Sequence, residues 1–320
     1  MKVRAMGGRL LQAVVAVAAL AVASVAHAQT LYSASMRSFA NAGSQIVVGN
    51  LFTINMANTQ ANLIAPIRLE GNTAVGITGM AVHPATGVFY GITSGLSPDH
   101  PHSLVTIDPD TGNASLIGRL TMAGSDISFD AGGTLYIWVQ STRQVGAVNL
   151  ATGVVTALGQ VGPPTSAGGL AIDPKDNVAY ISPGGAAGTL DRVDLKTGII
   201  TTGPQLTGAP FPAAINAMTF TPSGLLIAVN SNAGVPQSTF LVSINTATGV
   251  VSPMGTLPDD TDALTFSGKH GLDPIALLRT LSGRVLALIA LSIGCVVGLI
   301  VYAIWSRRQK RRKAPSSPSS

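Results

Sequence analysis

Polar residues recur at one position of a repeated apolar segment, and they are the first candidates for chemistry in this 320-residue chain. Each lies two residues before an apolar residue within a short hydrophobic run, such as Met80 or Met218. If the runs meet around one axis, their side chains converge, and Ca²⁺ prefers convergent carboxylate and amide oxygens. The predicted ligand-binding set is Thr78, Ser125, Asn216 and Asp262 at this position together with Asp126, which adjoins Ser125, and the predicted metal ligands within it are Asp126, Asn216 and Asp262.

A second interpretation of these residues is structural, because polar side chains also hydrogen-bond strand ends and water. The sequence contains no Gly-x-Ser-x-Gly nucleophile elbow and no phosphate-binding loop. Its single glutamate, Glu70, excludes a pair of catalytic glutamates of the glycosidase kind. No residue is therefore predicted to be catalytic.

The repeat that contains these residues predicts a β-propeller. The aligned apolar positions are residues 80, 127, 170, 218 and 264, so successive copies are 43 to 48 residues apart. A second hydrophobic pair follows positions 80, 127, 170 and 218, and after the first three of these positions it ends in tyrosine. Repeats of about 40 to 50 residues with four short strands are typical of propeller blades.

Four turns with the pattern Asx-x-x-Thr-Gly separate the third and fourth predicted strands of the blades. An Asx side chain stabilises such a turn by bonding its own backbone, and glycine supplies the positive φ that a tight hairpin needs. The first copy, at residues 55–60, lacks the glycine. The complete turns are residues 108–112, 149–153, 194–198 and 245–249.

The first and last copies of the repeat are complementary. Residues 31–34, 51–54 and 62–64 resemble second, third and fourth strands without a first one, whereas residues 263–266 resemble a first strand without followers. We therefore predict an all-β, five-bladed propeller over residues 29–268 in which N- and C-terminal strands share one blade. Such closure removes exposed sheet edges.

The N-terminus has the pattern of a secretory signal peptide. Basic residues at positions 2, 4 and 9 precede an apolar stretch, and Ala26 and Ala28 form a small-x-small cleavage site. Residues 1–28 are thus the predicted signal peptide, and the mature chain is predicted to begin at Gln29.

The C-terminus has the pattern of a membrane anchor. A linker at residues 269–284 precedes residues 285–305, which carry no charge and are long enough to cross about 30 Å of hydrocarbon as a helix. Six Lys and Arg residues follow in the tail at 306–320, and basic residues stay on the cytoplasmic side. The prediction is a single-pass protein of the cytoplasmic membrane, with its propeller facing the periplasm or the cell exterior and its C-terminus in the cytoplasm.

The basic residues are concentrated at the two ends of the chain. Of 19 Lys and Arg, 11 lie in the signal peptide, beside the predicted helix or in the tail, which leaves eight against 14 acidic residues. The predicted propeller is therefore acidic, which argues against a nucleic-acid partner. The single cysteine, Cys295, lies in the predicted membrane helix, so we expect no disulfide bond.

The repeats resemble those of exported bacterial propellers related to the NHL and YVTN repeat families. Residues 216–224 are also similar to an Asn-Gly-Leu-Ala-Phe-Ser-Pro-Asp-Gly stretch of the SMP-30/gluconolactonase family. That resemblance implies a metal-binding role for Asn216.

Two functions are compatible with these features. The first is a membrane-tethered binding or scaffold module with a protein or carbohydrate ligand, and the absence of a catalytic constellation favours it. The alternative is a metal-assisted hydrolase of the lactonase type, with Asp126, Asn216 and Asp262 around a divalent ion such as Ca²⁺.

Overall fold

The computed structural model describes residues 29–37, 49–184, 188–211, 214–231 and 239–267. The predicted signal peptide, linker, membrane helix and basic tail lie outside the described residues, so those assignments stay predictions. Within the described part of the chain, no helix has the length and apolar character needed to span a membrane. All described residues belong to one compact unit.

The described residues form short β-strands with one 3-10 turn at Glu70–Asn72. In chain order the strands are β1 (Leu31–Ser35), β2 (Asn50–Ile54), β3 (Ala61–Pro66), β4 (Arg68–Leu69), β5 (Thr73–Ala74), β6 (Ile77–Val82), β7 (Phe89–Thr93), β8 (Ser103–Ile107), β9 (Asn113–Arg119), β10 (Ile127–Phe129), β11 (Leu135–Val139), β12 (Gln144–Val148), β13 (Val155–Ala157), β14 (Ser166–Ile172), β15 (Ala179–Gly184), β16 (Asp191–Val193), β17 (Ile200–Thr201), β18 (Ile215–Phe220), β19 (Leu226–Ser231), β20 (Thr239–Ile244), β21 (Val251–Thr256) and β22 (Thr261–Phe266).

These strands form five β-sheet blades, which confirms the predicted five-bladed all-β propeller. The composite blade has the order β22-β1-β2-β3, and three others are β10 to β13, β14 to β17 and β18 to β21. Strand β22 pairs with β1 so that Leu31 faces Phe266 and Ala34 faces Ala263. The innermost strands β6, β10, β14, β18 and β22 each pack against the next, and β22 packs against β6 to close the ring.

The remaining blade differs from the prediction because it has six strands, in the order β5-β4-β9-β8-β7-β6. The two-residue strand β4 pairs in parallel with β9, with Arg68 opposite Asn113 and Leu69 opposite Ala114. Backbone groups at the outer edge of β9 are thereby paired instead of left open. Strands of two residues have no hydrophobic periodicity, so the sequence did not indicate them.

The blades pack on one another through aromatic side chains of their second strands. Tyr90 contacts Phe129 of the next blade with ring centroids 5.5 Å apart, and Tyr180 contacts Phe220 of the next blade at 5.7 Å. Each pair joins a second strand to the last residue of the following innermost strand. The repeated tyrosine of the sequence is thus the contact between blades.

The Asx turns have the predicted structure. The Oδ1 atom of Asp108 accepts hydrogen bonds from the backbone N–H groups of Asp110 and Thr111, at 2.9 and 3.0 Å. The turn glycines have φ between +72° and +76°. In the first copy Thr59 occupies the glycine position and still adopts a φ of +55°. Its side chain fits because the nearby residue is Gly255, where a Cβ atom would lie only 2.1 Å from the Thr59 Oγ1.

Candidate functional site

The propeller axis is narrow because small residues occupy one layer of the innermost strands. We call this layer the axial layer. All its members are buried, and only one of them has a polar side chain. A Cβ atom at Gly79 would lie 2.9 Å from the Asp126 Cα, and one at Gly169 would lie 3.1 Å from the Met218 backbone nitrogen. The axial layer consists of Gly79, Asp126, Gly169, Ala217 and Ala263.

The Asp126 carboxyl group connects three blades at this layer. Its Oδ2 accepts hydrogen bonds from the backbone N–H groups of Leu170 at 2.9 Å and Met218 at 3.0 Å, which belong to the next two innermost strands. Its Oδ1 accepts one from the N–H group of Ile127 at 2.9 Å. Asp126 has no exposed surface. The axial layer therefore closes the channel between the two ends of the propeller.

Two opposing effects act on the Asp126 carboxyl group. Burial raises its pKa well above the ordinary value, since a charged carboxylate loses the solvation of water. The N–H donors of Leu170, Met218 and Ile127 oppose this rise because they stabilise the charged form. All three donors would otherwise be buried without a partner, so this carboxyl group has a structural role on the axis.

Three of the predicted site residues lie on β-bulges at the starts of innermost strands. The strand register shifts between Ile77 and Gly79 in β6 and between Ile215 and Ala217 in β18. The corresponding shift in β22 places Asp262 outside the ladder. A bulge turns its extra side chain away from the ladder and is common next to functional sites. Thr78, Asn216 and Asp262 are these extra residues, all are partly exposed, and we call this end of the axis the strand-start mouth.

Asp262 is the acidic residue of the strand-start mouth. Burial raises its pKa well above the ordinary value, and the nearby charge of Asp126 raises it further. A side-chain hydrogen bond from Asn216 lowers this pKa. Part of the Asp262 surface remains exposed, but protein atoms surround its carboxyl group, so the loss of bulk water is the largest effect. The structure thus places Asp126 and Asn216 beside Asp262, and a ligand-binding or metal-binding role for these residues stays a prediction.

Beside this group lies an ion pair that the sequence did not indicate. The Arg37 Nε is 3.2 Å from the Asp260 Oδ1, and the Asp260 side chain is only 3% exposed. The charge of Asp260 raises the pKa of Asp262, whereas Arg37 lowers it. Residues 37 and 260 are far apart in sequence and come together only because the composite blade joins both ends of the propeller.

Ser125, another predicted member of the site, connects two blades. Its Oγ donates a hydrogen bond to the backbone oxygen of Gly168 at 2.7 Å, and only 9% of the residue is exposed. Thr78 reaches the same end of the axis through its bulge. Among the residues that the structure describes, no three His, Cys, Asp or Glu side chains are grouped so as to hold a metal ion. A cation at the mouth would therefore need amide or backbone oxygens as well.

The opposite end of the axis contains a cavity of about 440 Å³. It is lined by the last residues of innermost strands and by the turns that follow them, so we call it the strand-end pocket. None of the five predicted site residues lines it. The axial layer lies between this pocket and the strand-start mouth.

No family model and no curated protein matches the chain. The resemblance to NHL, YVTN and gluconolactonase propellers therefore stays a prediction. A chain in a crystal structure of a nidogen/laminin complex is similar, with 12% identity and a TM-score of 0.46, over 75% of this chain and 98% of that one. A structural genomics protein of unknown function from Bacteroides thetaiotaomicron is similar with 15% identity and a TM-score of 0.42, over 56% of this chain and 50% of that one.

Proposed function

We propose that this protein is a membrane-tethered binding or scaffold module that presents its propeller outside the cytoplasmic membrane and binds its ligand at the strand-start mouth. The observation that supports this proposal is the set of bulges that turns Thr78, Asn216 and Asp262 toward one end of the axis. Regular strands would pair these residues in the ladder, so the bulges give the polar side chains a position that the sheets themselves do not need.

A cation is part of the proposed ligand. The Asp262 carboxyl group is held among protein atoms beside Asp126 and Asp260, and both neighbouring charges raise its pKa. A divalent cation would offset this repulsion, and Ca²⁺ suits a site with carboxylate and amide oxygens from Asp262 and Asn216. The protein or carbohydrate ligand would then reach the cation from the open side of the mouth.

The alternative, a metal-assisted hydrolase of the lactonase type, has less support. It requires Asp126 as a metal ligand, but this carboxyl group has no exposed surface and already accepts three backbone hydrogen bonds. Moving it toward a metal would leave the N–H groups of Leu170 and Met218 unpaired in the core, which costs about 1–3 kcal/mol for each group.

The thermal stability of the full-length protein in Ca²⁺ tests the cation site. Ca²⁺ at a hundredfold excess over Kd should stabilise the wild type by roughly 2.7 kcal/mol. Asp262→Asn should abolish the increase in melting temperature, whereas Asp176→Asn, in an exposed turn, should retain it. If neither Ca²⁺ nor another divalent ion shifts the wild-type curve, the cation site and the hydrolase alternative are both wrong. Lactone hydrolysis that requires the cation would instead favour the hydrolase.

A further inference from the structure

We propose that the strand-end pocket binds a neutral saccharide of one or two rings. This pocket lies on the other side of the axial layer from the strand-start mouth, so the inference goes beyond the proposed function. Its volume of about 440 Å³ falls within the range of roughly 300–1,000 Å³ that is typical of small-molecule sites.

The pocket has apolar walls and a hydroxyl-bearing inner surface. Met80, Phe220 and Phe266 are among its apolar lining residues, and each is on an innermost strand. Ser128, Thr219 and Thr265 also line it. They occupy the same position of three innermost strands, one residue after the aligned apolar position. A sugar ring has both apolar C–H faces and hydroxyl edges, so it can contact both kinds of surface.

The hydroxyl groups have hydrogen-bonding capacity that the protein does not use. Ser128 Oγ accepts a bond from the Ile172 N–H group at 3.1 Å, which leaves its own proton available. Thr265 Oγ1 makes only a long contact of 3.4 Å with the Phe266 backbone oxygen. The Thr219 hydroxyl group has no hydrogen-bond partner among the residues that the structure describes. A purely apolar ligand would bury these groups without partners, whereas a saccharide would pair with them.

The charge of the pocket favours a neutral ligand. Its lining contains one carboxylate residue, Asp130, and one ammonium residue, Lys175, so the two charges balance. Each is already engaged, because Asp130 Oδ1 accepts a bond from the Thr134 N–H group at 2.7 Å and Lys175 Nζ donates to the Ser223 oxygen at 3.0 Å.

The pocket is also rigid. Pro84, Pro174 and Pro222 line it at corresponding positions, two residues after the last residue of their innermost strands. Proline fixes its own φ, so these turns have little freedom to lose when a ligand binds. The inner end of the pocket adjoins the buried axial layer.

Isothermal titration calorimetry of the full-length protein, in a detergent without a sugar headgroup, tests this inference. The probes are glucose, galactose, N-acetylglucosamine and the α-1,4- and β-1,4-linked glucose disaccharides, with glucuronate and decanol as charged and apolar comparators. We expect at least one neutral saccharide to bind and neither comparator to do so. Binding of glucuronate or decanol alone, or of no saccharide, would overturn the inference.

Variants distinguish the strand-end pocket from any other saccharide site. Thr219→Val and Thr265→Val each remove one hydroxyl group with little change of shape, and each should weaken saccharide binding about tenfold. Thr106→Val is the matched control, because Thr106 lies on β8 and does not line the pocket. If both pocket variants bind like the wild type, the inference is wrong. If no saccharide binds the wild type while Ca²⁺ still stabilises it, this inference is wrong and the proposed function stays in place.

Discussion

At the scale of single residues, Asp126 connects the blades at the centre of the propeller. It accepts backbone N–H groups from its own blade and from the next two, and its partners Leu170 and Met218 are 44 and 92 positions away in sequence. Sequence analysis placed Asp126 near the axis because it adjoins an aligned repeat position. It could not identify the partners, since no local pattern marks a backbone N–H group that lacks a ladder partner.

Asp126→Ala should reduce the free energy of unfolding by about 3 kcal/mol or more. The substitution leaves the N–H groups of Leu170 and Met218 buried without acceptors, and each costs about 1–3 kcal/mol. Chemical denaturation measures the change. Asp176→Ala is the control, because Asp176 is exposed and bonds only the nearby Val178 N–H group. A loss below about 1 kcal/mol for Asp126→Ala would contradict the structural role.

Asp262 should make the protein less stable as the pH rises. Because its pKa in the folded state is raised, the folded state binds more protons than the unfolded state once the pH exceeds 3.8, the ordinary pKa of an aspartate side chain. Stability therefore falls from about pH 4 upward, through the raised pKa. Asp262→Asn should flatten this slope when the free energy of unfolding is measured at several pH values without divalent ions. A slope that is unchanged in the variant would show that Asp262 does not titrate in this range.

At the scale of elements, the strands and turns could be predicted from local sequence patterns, whereas the bulges could not. The Asx turns were evident because the Asx oxygen and the glycine act within five residues, as at residues 194–198. The bulges at Thr78, Asn216 and Asp262 depend on the register of the neighbouring strand, which the sequence does not encode locally. The candidate residues were therefore selected by alignment of repeats alone, without knowledge of the bulges on which three of them lie.

Gly198→Ala should destabilise the propeller by more than about 1 kcal/mol. Gly198 has a φ of +72°, and a Cβ atom there would lie 2.3 Å from the Gly159 backbone nitrogen. Gly132→Ala is the matched control, since its Cβ atom would have no neighbour closer than 3.4 Å. The melting temperatures of the two variants provide the comparison, and equal values would mean that the connection between blades adapts to the extra methyl group.

At the scale of the whole molecule, the asymmetry of the first and last repeats was sufficient to predict how the ring closes. Leu31 to Ala34 pair with Ala263 to Phe266, as complementary missing strands require. The added strands β4 and β5 were missed because they are too short for a periodic signal. The signal peptide and membrane helix lie outside the described residues, so their test must come from experiments on topology.

When a reporter enzyme is fused after Ser320, we expect activity from an enzyme that works in the cytoplasm and no activity from one that works only after export. The basic residues after position 305 should hold the C-terminus on that side, while protease added to spheroplasts should cleave near Lys269. N-terminal sequencing of the released propeller should begin at Gln29. Activity of a reporter that works only outside the cytoplasm would reverse the predicted orientation. An N-terminal sequence that begins at Met1 would contradict the predicted cleavage.

The most direct test of the proposed function is a crystal structure of the protein grown with Ca²⁺. The account predicts anomalous density at the strand-start mouth, with oxygen atoms of Asp262 and Asn216 about 2.3–2.6 Å from the ion. Asp126 should keep its bonds to the N–H groups of Leu170 and Met218. A mouth without density at saturating Ca²⁺, or an ion bound directly by a displaced Asp126, would contradict this account.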